Sequence, residues 1–308
     1  MNKKLLSIVT PCFNEEESVE NCYLQVKKII SKLENITYEH IFSDNSSTDQ
    51  TVEILEKIAI GDSNIKVLVN SHNVGPFKNN FNALQYAKGD YILVFLPADL
   101  QDPPELIPQM IKEIENGNEI VLGIRKTRIE NIFLKLFRRI FYNLMNIFSD
   151  HKVPIGAGEF MMITKHVHKI IKESDNFNPY IRGLIAQLNY QKAHVNYTWK
   201  KREFGKSKNS ISDLFNQALN ALVMMAFKPV RFFVYFGIFS IFIGLMLLIA
   251  TFVNYDLSFI NFGLLSFIYL SIILFSIGLS GEYILSVNNK VNENLKLQVV
   301  KKINIDEK

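Results

Sequence analysis

Short apolar runs alternate with amphipathic stretches through the first 125 residues. LLSIVTP (5–11), HIFSD (40–44), IKVLVN (65–70), YILVFL (91–96) and EIVLGI (119–124) are β-rich and bounded by polar residues, the pattern of buried strands. Between them, Ser18 to about Leu33, Thr51 to Ile60, Pro76 to about Ala87 and Pro104 to about Asn116 read as helices. Strands alternating with helices predict an α/β, doubly wound, parallel sheet. Ligands of such sheets lie outside the carboxyl ends of the strands. That is where this chain gathers its polar clusters: Pro11-Cys12-Phe13-Asn14-Glu15-Glu16, Asp44 to Asp49, Ser71 to Pro76, and Pro97 to Glu105.

Beyond residue 125 the pattern changes. Ile129 to Phe148 is amphipathic, with Lys135, Arg138 and Arg139 opposite a Phe/Leu/Ile face. Such a stripe fits a core helix or a helix lying in a membrane interface, and both readings stay open. Ile211 to Ala226 has a similar stripe. Phe232 to Val253 and Leu257 to Gly281 carry no charge and are joined by Asn254-Tyr255-Asp256. Each run is on the order of the ~20 residues needed to cross hydrocarbon, so two transmembrane helices are expected. Lys200, Lys201, Arg202, Lys206, Lys208, Lys228 and Arg231 precede them, and Lys290, Lys296, Lys301 and Lys302 follow. By the positive-inside rule both flanks, and the domain before them, face the cytoplasm. The expected protein is integral to a bacterial-type inner membrane. The apolar stretch of MNKKLLSIVTP is too short for a signal peptide.

Composition adds limits. The 308 residues, 48% hydrophobic, suffice for one large domain or two smaller ones. A net charge of +4 is too small to suggest nucleic acid, and the cations cluster beside the apolar runs, where membrane lipid attracts them. Cys12 and Cys22 lack metal-ligand spacing and are expected as buried thiols in a reducing compartment.

The chemistry centres on Asp99, where YILVFL stops at a carboxylate. Asp99 either caps the helix starting near Pro104 or delivers an acid to the crevice. No Gly-rich phosphate fingerprint of the dinucleotide or P-loop kind occurs, which tells against hydride transfer and ATP hydrolysis. A crevice with several carboxylates remains, suited to a diphosphate held by a cation.

IVTPCFNEEE, SDNSSTDQT, SHNVGPFKN, PADLQDPPE, GIRKTR, GAGEF, REFGKSK and GEYI follow one another in the order found in family 2 glycosyltransferases. The chain resembles the polyprenyl-phosphate branch of that family, similar to dolichol-phosphate mannose synthase and bacterial undecaprenyl-phosphate sugar transferases. The resemblance implies a GT-A domain, a Rossmann-like mostly parallel sheet, followed by two C-terminal transmembrane helices. Its extent would be 1–209, then a juxtamembrane helix over 210–229, the spans within 230–287, and a cytoplasmic tail over 288–308. It implies inverting transfer of a sugar from a nucleotide-diphosphate sugar to a polyprenyl phosphate. Pro11, Asn14, Glu15, Asp44 and Asp99 look like the donor nucleotide side, and Asp99 and Gln101 like the ligands of Mg²⁺ or Mn²⁺. Arg125, Arg202 and Lys206 are similar to residues that hold phosphate on the acceptor side, and Glu159 to the carboxylate catalysing with Asp99. The family also implies a homo-oligomer.

Departures bear on the metal and the donor. Pro97 stands where the acidic motif usually has a second carboxylate, which weakens the cation site. Asn45, Ser46, His72 and Glu159 replace the usual Asp, Gly, Arg and Asp. A membrane glycosyltransferase acting on a hydroxyl of a polysaccharide or protein is an alternative, although no QxxRW-type motif occurs. A non-catalytic nucleotide-sugar-binding protein is another, for which Pro97 is the argument.

Overall fold

The computed structural model describes residues 3–127, 156–173, 181–200, 259–291 and 299–305, with residues 143, 154, 235, 236 and 239 besides. Strands β1 (Lys4–Cys12), β2 (Ile36–Asp44), β3 (Ile65–Asn70) and β4 (Tyr91–Leu93) are linked by helices α1 (Val19–Ile30), α2 (Thr51–Gly61) and α3 (Pro76–Leu84). After α4 (Ile107–Glu115) come β5 (Ile120–Thr127), β6 (Ala157–Thr164), α5 (Lys165–Glu173), α6 (Ile181–Gln187) and β7 (Lys192–Thr198). Helix α7 (Phe259–Val291) and strand β8 (Val299–Ile303) complete the described elements.

One eight-stranded sheet runs β7-β5-β6-β4-β1-β2-β3-β8. Strand β1 pairs in parallel with β2 and β4, and β2 with β3, as the βα alternation predicts. The sheet is mostly parallel, as expected, with antiparallel strands on both sides of this block. Strand β6 is antiparallel to β4 and β5, and β8 is antiparallel to β3.

The strands read as apolar runs because both faces are covered. Ile8, Phe42, Val67, Leu93 and Met162 pack with α1, α2 and α4 through Val26, Leu55 and Met110. Their neighbours Val9, Ile41, Leu68, Ile92 and Met161 pack with α3, α5 and α6 through Leu84, Val167 and Ile185. The period of two sends successive side chains to opposite layers. Cys12 and Cys22 are buried free thiols, as expected.

The chain divides into two compact units: Met1–Arg138 with Val153–Ser210 and Asn294–Lys308, and Arg139–Lys152 with Ile211–Glu293. The tail expected over 288–308 is therefore not an appendage. Its Ile303 joins the core of the first unit. Asn304, at φ +56°, donates its Nδ2 protons to the carbonyls of Ala59 and Ile65.

The membrane reading is corrected. Among the described residues no helix is long and apolar enough to cross a membrane. The run 257–281 falls on α7, which carries Ser266, Ser271, Ser276 and Ser280 and continues into Glu282, Asn288, Asn289 and Lys290. The assignment of sides from flanking charge depended on those spans. The run 232–253 and the amphipathic stretches 129–148 and 211–226 lie outside the described residues, apart from isolated positions.

Candidate active site

The carboxyl ends of β6's neighbour β4 and of β1, β2 and β3 open onto four loops, and hydrogen bonds tie three of these together. Asn14, at φ +53°, donates its backbone N–H to Ser47 Oγ at 2.8 Å, while its Oδ1 accepts from Thr48 N–H at 2.7 Å. The backbone of Glu15 donates to Thr51 Oγ1 at 2.8 Å. Glu16 donates through its N–H to Asp49 and accepts from Gln50 N–H. The second loop is joined to the third through Asn45, whose Nδ2 donates to Asn73 Oδ1 at 2.8 Å and whose Oδ1 accepts from Val74 N–H. Gly75, at φ +83°, turns this loop into α3, where a side chain would be strained.

Asp44 is fully buried. Its carboxylate accepts from Ser47 N–H at 2.9 Å and from the Ser47 hydroxyl. Burial raises its pKa and these bonds pull it back. The side chains of Asn14 and Asp44 thus tie the loops together. Pro11 sits in β1 opposite Ser43 and stays half-exposed, as does Glu15. Lys78, on α3, is half-buried with its pKa lowered by desolvation.

The fourth loop follows β4. Val94 N–H donates to Met161 and Leu96 N–H to Val9, extending the strand beyond its ladder toward Asp99. Asp99 is 8% exposed and accepts Gln101 N–H on Oδ1 at 3.1 Å across Leu100, which has φ +53°. The first turn after Pro103 has no side-chain cap, so Asp99 is not the helix cap. Positive φ at Asn14, Ser46 and Leu100, all non-glycine, falls at the carboxyl ends of β1, β2 and β4. Such strain costs of order 1–3 kcal/mol each and concentrates at ligand sites. The sequence shows it only as a missing glycine at Ser46.

Glu159 lies on β6, the strand beside β4. It is 8% exposed, and among the described residues neither carboxylate oxygen has a hydrogen-bond partner. Arg182 Nε on α6 stands 3.4 Å from Oε1. Desolvation raises the pKa of Glu159, and the charges of Arg182 and Arg125 oppose that rise. Arg182 had no signal in the sequence.

Arg125, expected on the acceptor side, pairs within the protein with Asp102. Its Nε and Nη2 donate to the two oxygens of Asp102 at 3.0 and 2.7 Å, with the Asp102 side chain 1% exposed. A guanidinium so engaged is held by the protein, and its pKa is raised by the Asp102 and Tyr197 charges against desolvation. Arg202 and Lys206 lie outside the described residues.

The order β6-β4-β1-β2 thus sets Glu159, Asp99, the Pro11–Glu15 loop and Asp44 at successive positions along one edge. Among the described residues no group of three or more His, Cys, Asp or Glu could hold a metal by itself. The oxygen donors near Asp99 are its carboxylate and the Gln101 carboxamide, whose Nε2 donates to Lys200 carbonyl. A hard cation accepts such ligands when phosphate and water complete its shell, so the residues fit a cation that arrives with a diphosphate.

Residues 7–171 match Glycosyl transferase family 2. Over 309 residues the chain is 28% identical to the glycosyltransferase YkcC of Bacillus subtilis (strain 168), covering 98% of this chain and 95% of the relative. It is 31% identical to the bactoprenol glucosyl transferase of Shigella phage SfV, covering 91% and 92%. Glucosyl-3-phosphoglycerate synthase from Mycobacterium tuberculosis, solved with Mn²⁺, UDP and phosphoglyceric acid, superposes with a TM-score of 0.51 at 19% identity, over 71% of this chain and 76% of that one. That likeness shows the fold.

Proposed function

The chain belongs to glycosyl transferase family 2 and is a glycosyltransferase, and from that premise we propose that it moves a sugar from a nucleotide-diphosphate sugar to a polyprenyl phosphate, with inversion at the anomeric carbon. The observation that carries the acceptor is the end-to-end similarity to a bactoprenol glucosyl transferase, in which 92% of the relative is covered. The sheet edge that carries Asp99 and Glu159 together supports a site of transfer rather than of binding alone.

A phosphate monoester has a second pKa of about 6 and is already anionic at neutral pH. It needs no strong general base. What it needs is alignment with the anomeric carbon and neutralisation of the departing diphosphate. Asp99 and Gln101 are the residues that would hold Mg²⁺ or Mn²⁺, and the ion would supply charge neutralisation on the leaving diphosphate. With Pro97 in place of a second acid, the protein's own ligands bind free metal weakly. Asn14, Asp44 and Asn45 shape the nucleoside pocket by locking its loops, and Pro11 and Glu15 line it. Glu159, buried beside Arg182, orients the acceptor side and takes no proton. Arg202 and Lys206 grip the lipid phosphate, Arg through two parallel N–H donors. As domains, we take 1–209 as the catalytic part.

Purified protein in detergent, incubated with undecaprenyl phosphate and a panel of labelled nucleotide sugars, tests this. Label extracted into organic solvent, dependent on Mg²⁺ or Mn²⁺, is the expected result. Label in a polymer, or transfer that persists in excess EDTA, would overturn the acceptor or the cation respectively.

A further inference from the structure

Asp102, three residues past Asp99, is fully buried and faces three donors. Arg125 holds it bidentately, and Tyr197 donates its hydroxyl to Asp102 Oδ1 at 2.5 Å while accepting from Arg125 Nε at 3.0 Å. The guanidinium is mostly enclosed. A Cβ on Gly158 would stand 3.1 Å from Nη2, and one on Gly156 would stand 2.7 Å from the Arg125 carbonyl. Trp199 lies over the guanidinium with 5.2 Å to the ring centroid, and Phe160 meets the Tyr197 ring edge-on at 5.6 Å. Two further links run in the same direction. Lys200 N–H donates to the Gln101 carbonyl at 3.1 Å, Gln101 Nε2 donates back to the Lys200 carbonyl at 3.3 Å, and Lys200 Nζ pairs with Glu105 at 3.0 Å.

Residues 101–105 and 197–200 are therefore cross-linked repeatedly. Asp99 lies two residues before the first segment, and the second ends β7. We propose that Asp102, Arg125 and Tyr197 are positioning residues that clamp the Asp99 loop to the segment ending β7, so that Asp99 and residues 197–200 move as one piece. The clamp rests on the proposed transfer for its kinetic effect, but its existence does not. A buried ion pair contributes little net stability compared with apolar packing, whereas a misplacement of about 1 Å at a reacting centre costs on the order of 10²-fold in rate. Asp102, the Tyr197 hydroxyl, the Trp199 ring and the close approach of Gly158 hold this guanidinium in one place, which is what positioning requires.

The chain supplies its own reporter, because Trp199 is its only tryptophan. Full-length wild type, Tyr197→Phe and Asp102→Asn are compared by acrylamide quenching of Trp199, with Mn²⁺ plus UDP and Mn²⁺ plus GDP as probes, and by kinetics with the donor found in the panel. Tyr197→Phe keeps the ring and loses only the hydroxyl. Its expected behaviour is an unfolding midpoint within a few degrees of wild type, probe affinity within about twofold, a raised KM for acceptor and a kcat lowered about tenfold. Quenching without probe should rise in Asp102→Asn, and the change in quenching on probe binding, present in wild type, should vanish in both variants. Wild-type quenching and kcat in both variants would overturn the clamp, as would a rate loss equal to the fraction unfolded. Absence of lipid transfer in wild type with the quenching pattern intact would instead sink the proposed function and leave the clamp standing.

Discussion

Glu39 and Glu159 are both buried glutamates on central strands of one sheet, 4% and 8% exposed, yet their surroundings are opposite. At the amino end, Glu39 receives Ser7 Oγ at 2.5 Å, Lys88 N–H at 2.6 Å and the ammonium of Lys66, and Ser7 in turn accepts Gly89 N–H. At the carboxyl end, Glu159 has no hydrogen bond among the described residues, with the Arg182 guanidinium 3.4 Å away and a pKa raised by burial. An unsatisfied buried carboxylate costs free energy that a folded protein keeps only where it is used. We take the well-paired Glu39 as scaffold and the poorly paired Glu159 as part of the proposed site.

Removing the satisfied acid should give the largest effect. Glu39→Ala strands Lys66 and two donors, and a denaturant titration should show about 3–5 kcal/mol of lost stability. Nucleotide affinity per folded molecule should not change, and a changed affinity would break the contrast between the two ends. Asp99→Ala should do the reverse, with transfer reduced about 10²–10³-fold, worth about 2.7–4 kcal/mol, and a shift in unfolding midpoint too small to separate from wild type. Glu159→Gln keeps the shape while removing a poorly solvated charge. Its turnover should fall about tenfold, less than that of Asp99→Ala, with stability equal to or above wild type. If it proves as inactive as Asp99→Ala with donor binding intact, Glu159 is a base and not an orienting group.

The smallest effect sharpens the contrast by pH. His40, fully buried with Thr10 on Nε2 at 2.8 Å, has its pKa lowered to about 3 by burial. The unfolded chain binds that proton near pH 6.5 and the folded one does not. The contribution is therefore fully present above about pH 6.5 and is lost as pH falls toward 3, at up to about 1.4 kcal/mol per unit. The raised pKa values of Asp44 and Glu159 act with the opposite sign, stabilising at low pH. Unfolding free energies between pH 7 and 5 should fall more steeply for wild type than for His40→Asn, and equal slopes would remove His40 from the account.

Much of this was legible before any coordinates. Apolar runs buried on both faces announced β1 to β5 because a parallel strand has no wet side, and the polar residues that end them marked the site. The family was carried by local words such as PADLQDPPE and GAGEF, whose spacing survives because each builds one turn. What failed was what depends on distant partners. Strand β6 and the tail strand β8 entered antiparallel, and the uncharged run at 257–281 did not prove to be an apolar span among the described residues. Local pattern cannot tell which strand a segment will meet.

The sequence by itself determined the α/β alternation, the crevice at the strand ends and the position of Asp99 at the end of its strand, since these follow from periodicity and from residues next to one another, whereas Glu159 was reached only through the family resemblance. Only the tertiary structure decided that Arg125 turns inward to Asp102, that Asp44 and Asn14 lock loops, and that Glu159 stands almost unpartnered beside Arg182. The reason is that a charged side chain's role is set by which group meets it after folding. Arg125 and Asp102 are 23 residues apart, and Tyr197 is 72 from Arg125. No local pattern links positions so far apart; the packing of β5 and β7 brings them together.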